Sequence, residues 1–247
     1  MASENVSYHF AICSHGRPQR CAETVANLTV KGFDLDQITV FLSYTNEEPD
    51  YRAALPPGTN IQVRPDRVGI HEARNYVTDY YDDGTQVISL DDDITQITQL
   101  EDGRLAEIPD WPAFFDTAWA RTGTRLWSIN PTGNPFYMRP KLRTGLVFCC
   151  GHLHGYIIDK ALPRLTCAVK EDYERTILYW LKYGSTARID WVTTNNRYAQ
   201  LEGGVGPNRD DANRAAAATL IDRWPDLVRY KKGSDTEIAI RAPKGSI

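Results

Sequence analysis

The sequence has no apolar run approaching the length that spans a bilayer, and its opening MASENVSYHF lacks both the basic start and the apolar stretch of a secretory signal. These absences argue against a membrane helix and predict a cytoplasmic protein with no membrane partner. Cysteine is sparse: Cys13, Cys21, Cys149, Cys150 and Cys167 form no C-x-x-C pair, their number is odd and two are adjacent. That pattern suits neither a disulfide framework nor a thiolate zinc site, so reduced thiols are expected. Internal repeats and linker-like stretches are missing too, and the one biased tract is a short alanine run at 215–218. One domain over residues 1–247 is expected, with no obligate protein partner evident. A net charge of −4 argues against a protein that coats nucleic acid uniformly.

What is present reads as alternating strands and helices. Residues 8–13, 38–44, 60–64 and 85–90 are apolar strand candidates, separated by helical spacing after the Gly16-Arg17-Pro18 turn and over 69–81. This order predicts a largely parallel sheet with helices on both faces, whose ligands bind beyond the carboxyl ends of the strands. Further on, 111–122 and 171–184 read as helices, and RLWSI, GLVFCCGHLHGYIID and ARIDWVTT as strands. A glycine-rich LEGGVGPN (201–208) precedes a last helix and is a candidate lid over a bound ligand.

The fourth strand runs straight into Asp91, Asp92 and Asp93. Adjacent carboxylates repel one another, and desolvating them is costly without a cation. Their hard oxygens suit Mg²⁺ or Mn²⁺, and in an extended segment Asp91 and Asp93 share one side while Asp92 faces the other. A solvated loop or a cap is the alternative reading of a bare acidic triplet. Glu171 and Asp172 open a helix, where the field of its N-terminus favours the ionised form, either as ordinary dipole partners or as a proton acceptor.

No acidic residue occurs from Thr117 to Ile158, yet Arg121, Arg125, Arg139, Lys141 and Arg143 lie there, interleaved with Trp119, Trp127, Phe136 and Tyr137. Basic side chains among aromatics suit a polyanion with bases that can be stacked, and equally a solvated basic face.

VISLDDDI resembles the DxD element of GT-A glycosyltransferases, GIHEARNYV resembles their G-x-x-x-A-R-N segment, and AICSHGRPQRC resembles their first strand and nucleotide-facing loop. The resemblance implies an α/β, Rossmann-like GT-A single domain, with residues 1–100 as the nucleotide-sugar half and 101–247 as the acceptor half. It implies Mn²⁺ or Mg²⁺ on Asp91 and Asp93, and a nucleotide sugar, taken as a UDP-sugar, as donor. Asp92 would meet the sugar or ribose, Arg74 the nucleotide or diphosphate with Arg17 as a further contact, and Ser14, His15 and Gly16 the base. KEDYE resembles the E-D segment of inverting members, which implies Asp172 as general base with Glu171 as its substitute. The sequence departs from the family in having no histidine after His154. His152 and His154 are then candidates for a third metal ligand or an acceptor pocket.

LDDD, GYIIDK, KEDYE and GGVG together resemble small phage-encoded glycosyltransferases associated with TET/JBP oxygenases. That narrower resemblance implies transfer to the hydroxyl of a hydroxymethylated pyrimidine in DNA, such as 5-hydroxymethylcytosine. Arg121, Arg125, Trp127, Arg139, Lys141, Arg143, His152 and His154 would meet that acceptor. The alternatives are a GT-A enzyme acting on a small molecule, glycan or protein, a nucleotidyltransferase, and a non-catalytic nucleic-acid-binding module.

Overall fold

The computed structural model describes residues 8–64, 69–194, 209–243 and 245. The glycine-rich 201–208 stretch lies outside the described residues. The strands are β1 (Tyr8–Ser14), β2 (Ile38–Leu42), β3 (Asn60–Val63), β4 (Gln86–Asp91), β5 (Ile97–Glu101), β6 (Arg104–Glu107), β7 (Leu126–Ile129), β8 (Leu142–Gly145), β9 (Leu153–Ile157), β10 (Thr186–Ile189), β11 (Val192–Thr194), β12 (Val228–Tyr230) and β13 (Ile238–Ile240). The helices are α1 (Pro18–Val30), α2 (Glu48–Ala54), α3 (Ile70–Tyr80), α4 (Trp111–Thr122), α5 (Glu171–Tyr183) and α6 (Arg209–Arg223).

Eight strands form one sheet in the order β3-β2-β1-β4-β9-β7-β10-β8. The first four are mutually parallel, as the strand-helix alternation predicts. Beyond β4 the sheet is mixed: β9 runs antiparallel to both β4 and β7, β10 runs parallel to β7, and β8 is antiparallel to β10. Because β9 is flanked on both sides by antiparallel partners, β7 again points the same way as β4. The carboxyl ends of β1, β4 and β7 therefore share one rim.

Strand alternation sends Phe10 and Ile12 to a face packed by Cys21, Val25 and Leu28 of α1 and Trp111 and Phe115 of α4. Ala11 and Val87 face the other way, toward Val77 of α3 and Tyr179 of α5. Helices thus cover both faces. Pro18 at the start of α1 supplies a preset φ where no amide partner is needed. The Asp110 side chain accepts from Ala113 N at 2.9 Å to cap α4, and Gly123 closes it at φ 58°.

Several expectations need correction. GLVFCCGHLHGYIID holds only the last residue of β8 and then β9, with 146–152 crossing back to the rim between them. In that crossing the backbone donors go to α5 side chains instead of a ladder: Cys149 N to Thr176 Oγ1 at 3.1 Å and Gly151 N to Asp172 Oδ2 at 3.2 Å. ARIDWVTT also divides, giving β10 to the main sheet and β11 to a three-stranded sheet with β5 and β6. No helix among the described residues is long and apolar enough to cross a membrane, and all five cysteines are unpaired.

Candidate functional site

The rim at the end of β4 brings together the three aspartates, the loop after β1, Gly151 and the start of α5. The register pairs Cys13 with Asp91, so the turn after β1 lies beside the triplet. Asp91 is the last residue of β4, and Asp92 and Asp93 lie in the turn after it, outside the extended segment that the alternation assumed. Asp92 is fully buried, accepting from Ser14 Oγ at 2.5 Å and pairing with Arg17 Nη2 at 2.6 Å. Its main-chain carbonyl accepts from Thr24 Oγ1 at 2.9 Å, which ties it to α1. Burial pushes its carboxyl up to about 6.

Asp91 and Asp93 remain partly open. Asp91 Oδ1 is 3.5 Å from Arg74 Nη2, and Asp93 Oδ2 is 3.9 Å from Arg17 Nη1. Both distances are too long for a strong charge-assisted hydrogen bond. Both carboxyls are shifted upward, chiefly by burial, and for Asp93 next by the charge of Asp91. A pair of under-compensated hard-oxygen donors suits Mg²⁺ or Mn²⁺, ions that take one or two carboxylates and complete their shell with substrate oxygens and water. Among the described residues no group of three or more His, Cys, Asp or Glu side chains is placed to hold a metal. The protein can thus offer two carboxylates and leave the other positions to a ligand.

Arg74 is buried beneath this site. Its guanidinium donates to Glu171 Oε1 at 3.2 Å, Ser89 Oγ at 2.7 Å and the Gly151 carbonyl at 2.8 Å, besides approaching Asp91. Burial works against its charge, and the carboxylates of Glu171 and Asp91 more than offset this, so it stays charged. Arg74 therefore braces β4, the crossing segment and α5. Its neighbour Asn75 clamps the backbone of Leu165 through both amide atoms, each at 2.9 Å.

Asp172 accepts from Gly151 N at 3.2 Å and Tyr173 N at 2.9 Å. The helix field and these donors favour ionisation, as expected, but burial and the adjacent Glu171 outweigh them and push the carboxyl up to about 7. A carboxylate at that value is matched to accepting a proton near neutral pH. Lys170, left-handed at φ 62°, makes the turn that starts α5 here. A Cβ on Gly151 would lie 3.2 Å from Arg74 Nη2 and 3.4 Å from Glu171 Oε1, so any larger residue here would press on the Arg74–Glu171 pair.

The turn after β1 splits in function. Ser14 points inward, held by Tyr51 Oη at 2.6 Å as well as Asp92, which corrects its expected place against a base. Asp92 is likewise interior, with no face toward a sugar. Gly16 takes φ 66°, and His15 remains exposed, its Nδ1 2.7 Å from Glu47 Oε1 and its ring 4.8 Å from that of Tyr44. Tyr44, Glu47 and Tyr51 were not singled out by sequence reasoning. The rule that ligands gather at strand carboxyl ends points to Tyr44, which directly follows the second strand.

The expected acceptor set is scattered. Trp127 is fully buried beneath Gly155, where a Cβ would come within 2.3 Å of its indole, and it cannot stack on a base. Arg125 precedes β7, so it lies at the end of the sheet opposite the acids, over the Tyr183 ring at 4.8 Å. Arg121 lies over Trp191 at 5.0 Å. His154 is buried with both ring nitrogens engaged, Nδ1 to the Gly151 carbonyl at 3.1 Å and Nε2 to Arg175 at 2.7 Å, leaving none for a metal or an acceptor. His152 is buried near Cys150, and burial holds its ring neutral, down to about 4, against the nearby charge of Asp93.

Only the loop after β7 keeps the expected character. Phe136 and Tyr137 are 73% and 64% exposed, next to exposed Arg139 and Lys141. Arg139 N donates to Asp190 O at 3.3 Å and Asp190 N to Lys141 O at 3.1 Å, which anchors the loop to the end of β10. Arg143 follows on β8, half exposed and 3.8 Å from Asp190.

No family model matches the chain, and no curated protein matches it. Solved structures do. GalNAc-T7 with UDP, GalNAc and Mn²⁺ aligns at a TM-score of 0.60 and 12% identity, covering 91% of this chain and 49% of that one. Glucosyl-3-phosphoglycerate synthase from Mycobacterium tuberculosis, in complex with phosphoglyceric acid, aligns at 0.57 and 14%, covering 96% and 86%. S. aureus TarS 1-349 in complex with UDP-GlcNAc aligns at 0.52 and 14%, covering 87% and 67%. The chain spans 66% of the TarS 1-349 fragment and 40% of a longer TarS chain. Shared architecture over nearly the whole chain identifies the fold as that of the GT-A glycosyltransferases.

Proposed function

We propose that this protein is a metal-dependent, inverting glycosyltransferase that moves a sugar from a nucleotide diphosphate sugar, taken as a UDP-sugar, to the hydroxyl of a hydroxymethylated pyrimidine in DNA. The observation that carries the reading is the rim itself: two under-compensated carboxylates, Asp91 and Asp93, are partly open at a strand end that Arg74 ties to Glu171, the neighbour of Asp172 at the start of α5. Such a pairing costs stability in the free protein and repays it when a cation and a phosphate-bearing ligand are present. Structural neighbours with UDP-GlcNAc, or with UDP, GalNAc and Mn²⁺, support a nucleotide-sugar donor.

Asp91 and Asp93 would hold Mn²⁺ or Mg²⁺, which when bound neutralises charge on the departing diphosphate. His15 and Tyr44 offer ring faces at the ends of β1 and β2 for the base of the donor. Asp172, fixed by the amides of Gly151 and Tyr173, accepts the acceptor's proton as its hydroxyl oxygen bonds to the anomeric carbon and the diphosphate leaves with its bonding electron pair. One displacement inverts the anomeric centre. Arg74 holds Glu171, Gly151 and Asp91 in register and acts as a positioning residue. Phe136 and Tyr137, with Arg139 and Lys141, support a polyanionic acceptor whose base is drawn out of the stack.

The burial of Trp127 and the far position of Arg125 shrink that footprint and favour, as second reading, a small-molecule acceptor. The test is incubation with Mn²⁺, a panel of nucleotide sugars and hydroxymethylated DNA, followed by nucleoside mass spectrometry. A sugar-bearing nucleoside that disappears with Asp91→Ala and Asp93→Ala is the expected result. Donor hydrolysis without nucleoside modification selects the small-molecule acceptor, and activity unchanged by both substitutions ends the proposal.

A further inference from the structure

A cavity of about 250 Å³ opens between α3, α5 and the segment 159–165, on the helical face behind the rim. Its walls include Tyr156, Leu162, Leu178 and Tyr179, so the body of whatever fills it meets mostly apolar and aromatic surface. Its charges are unequal. Asp159 is consumed by Lys182 and Tyr183, and Asp79 by Arg64 and Arg164. Arg175, which also lines the cavity, is 5% exposed and has no carboxylate partner among the described residues. Its Nη1 meets His154 Nε2 at 2.7 Å, and its plane lies 4.5 Å from the Tyr156 ring centroid. Among the described residues the ammonium of Lys160, also in the lining, reaches only the Asp79 carbonyl, at 3.4 Å.

A guanidinium is always charged and carries five N–H donors in a fixed fork, so burying one against a neutral imidazole and a ring leaves its charge uncompensated. Cation–π contact recovers part of the lost hydration, and a carboxylate or phosphate would recover the rest. We propose that this cavity binds a small oxyanion carried on an apolar body, with Arg175 as its primary anchor and Lys160 as a screening charge. Arg164 does not compete for the anion because Asp79 and Glu72 already hold it. Binding here rests on neither the donor site nor the transfer reaction proposed for it.

The experiment is isothermal titration of the intact protein with benzoate, phenyl phosphate and benzyl alcohol, the last matching the apolar body without the charge. Saturable binding of benzoate or phenyl phosphate, with none for benzyl alcohol, is expected, and the better anion tells carboxylate from phosphate recognition. Arg175→Met should abolish binding. Lys160→Gln, an exposed change that leaves the fold intact, should weaken it roughly two- to fivefold, and it decides the matter if Arg175→Met does not fold. Anions binding no better than benzyl alcohol, or binding equally to wild type and the folded variants, overturn the proposal.

Discussion

The acids at the rim and the acids around the cavity behind it are the same residue type in opposite electrostatic states. Around the cavity each has its cation. For Asp79, burial raises the carboxyl but hydrogen bonds from Arg64 and Arg164 pull it lower, and for Asp159 Lys182 and Tyr183 do the same. At the rim burial wins. Asp91, Asp92, Asp93 and Asp172 all shift upward, although Arg74 and Arg17 stand among them. Asp92 is nonetheless paired, to Arg17, whereas Asp91 and Asp93 are left without a close cation, a cost a fold carries where a ligand repays it.

That contrast can be broken most forcefully at Asp172. Asp172→Asn should lower transfer by about 10²- to 10⁴-fold, measured as sugar incorporated per enzyme, with unfolding stability maintained or raised at pH 8. The pH dependence follows from the direction of the shift. A carboxyl raised from about 3.9 unfolded to about 7 folded binds protons more tightly in the native state, so its contribution is fully present below about pH 4 and lost as pH rises toward 7. The gain from Asp172→Asn should accordingly be larger at pH 8 than at pH 5 in urea titrations.

Arg74→Ala comes next. It strips Glu171 and Asp91 of their buried cation and should cost about 3–5 kcal/mol by urea unfolding, with Arg74→Lys recovering only part because one ammonium cannot span four acceptors. Gly155→Ala tests packing alone. A methyl driven against Trp127 should cost about 1–3 kcal/mol without altering the pH dependence. The smallest effect sharpens the contrast from the other side. Asp79→Asn, in a half-open pair, should cost less than about 1 kcal/mol, and only above the acid range where its carboxylate is charged.

The sequence made the first half of the sheet and the acid-bearing strand end legible because β1 to β4 are short apolar runs separated by turn residues, and burial on both faces leaves few other arrangements. The site was legible as a set of residues but not as a set of roles. Arg74 and Asn75 stand in a recognisable stretch, yet what fixes them as braces is their partners Glu171 and Leu165, distant in sequence. The basic, aromatic segment misled for the same reason. Trp127 and Phe136 are equivalent as letters, and only the antiparallel insertion of β9, which buries one under Gly155, separates them. The β5–β6 hairpin was missed because ITQLEDGRLAE has few apolar residues and a turn over Asp102 and Gly103, both at positive φ, as its main signal.

Gly151 joins these regions through the two peptide units on either side of it. Its carbonyl is shared by Arg74 and His154, its amide supports Asp172, and His154 in turn leans on Arg175 at the cavity wall. A change in the backbone at that one residue would disturb Asp172, the brace under the triplet and the hidden guanidinium together. Anyone redesigning this scaffold for a different acceptor has free rein over the exposed loop carrying Phe136 and Tyr137, and almost none over three atoms of main chain.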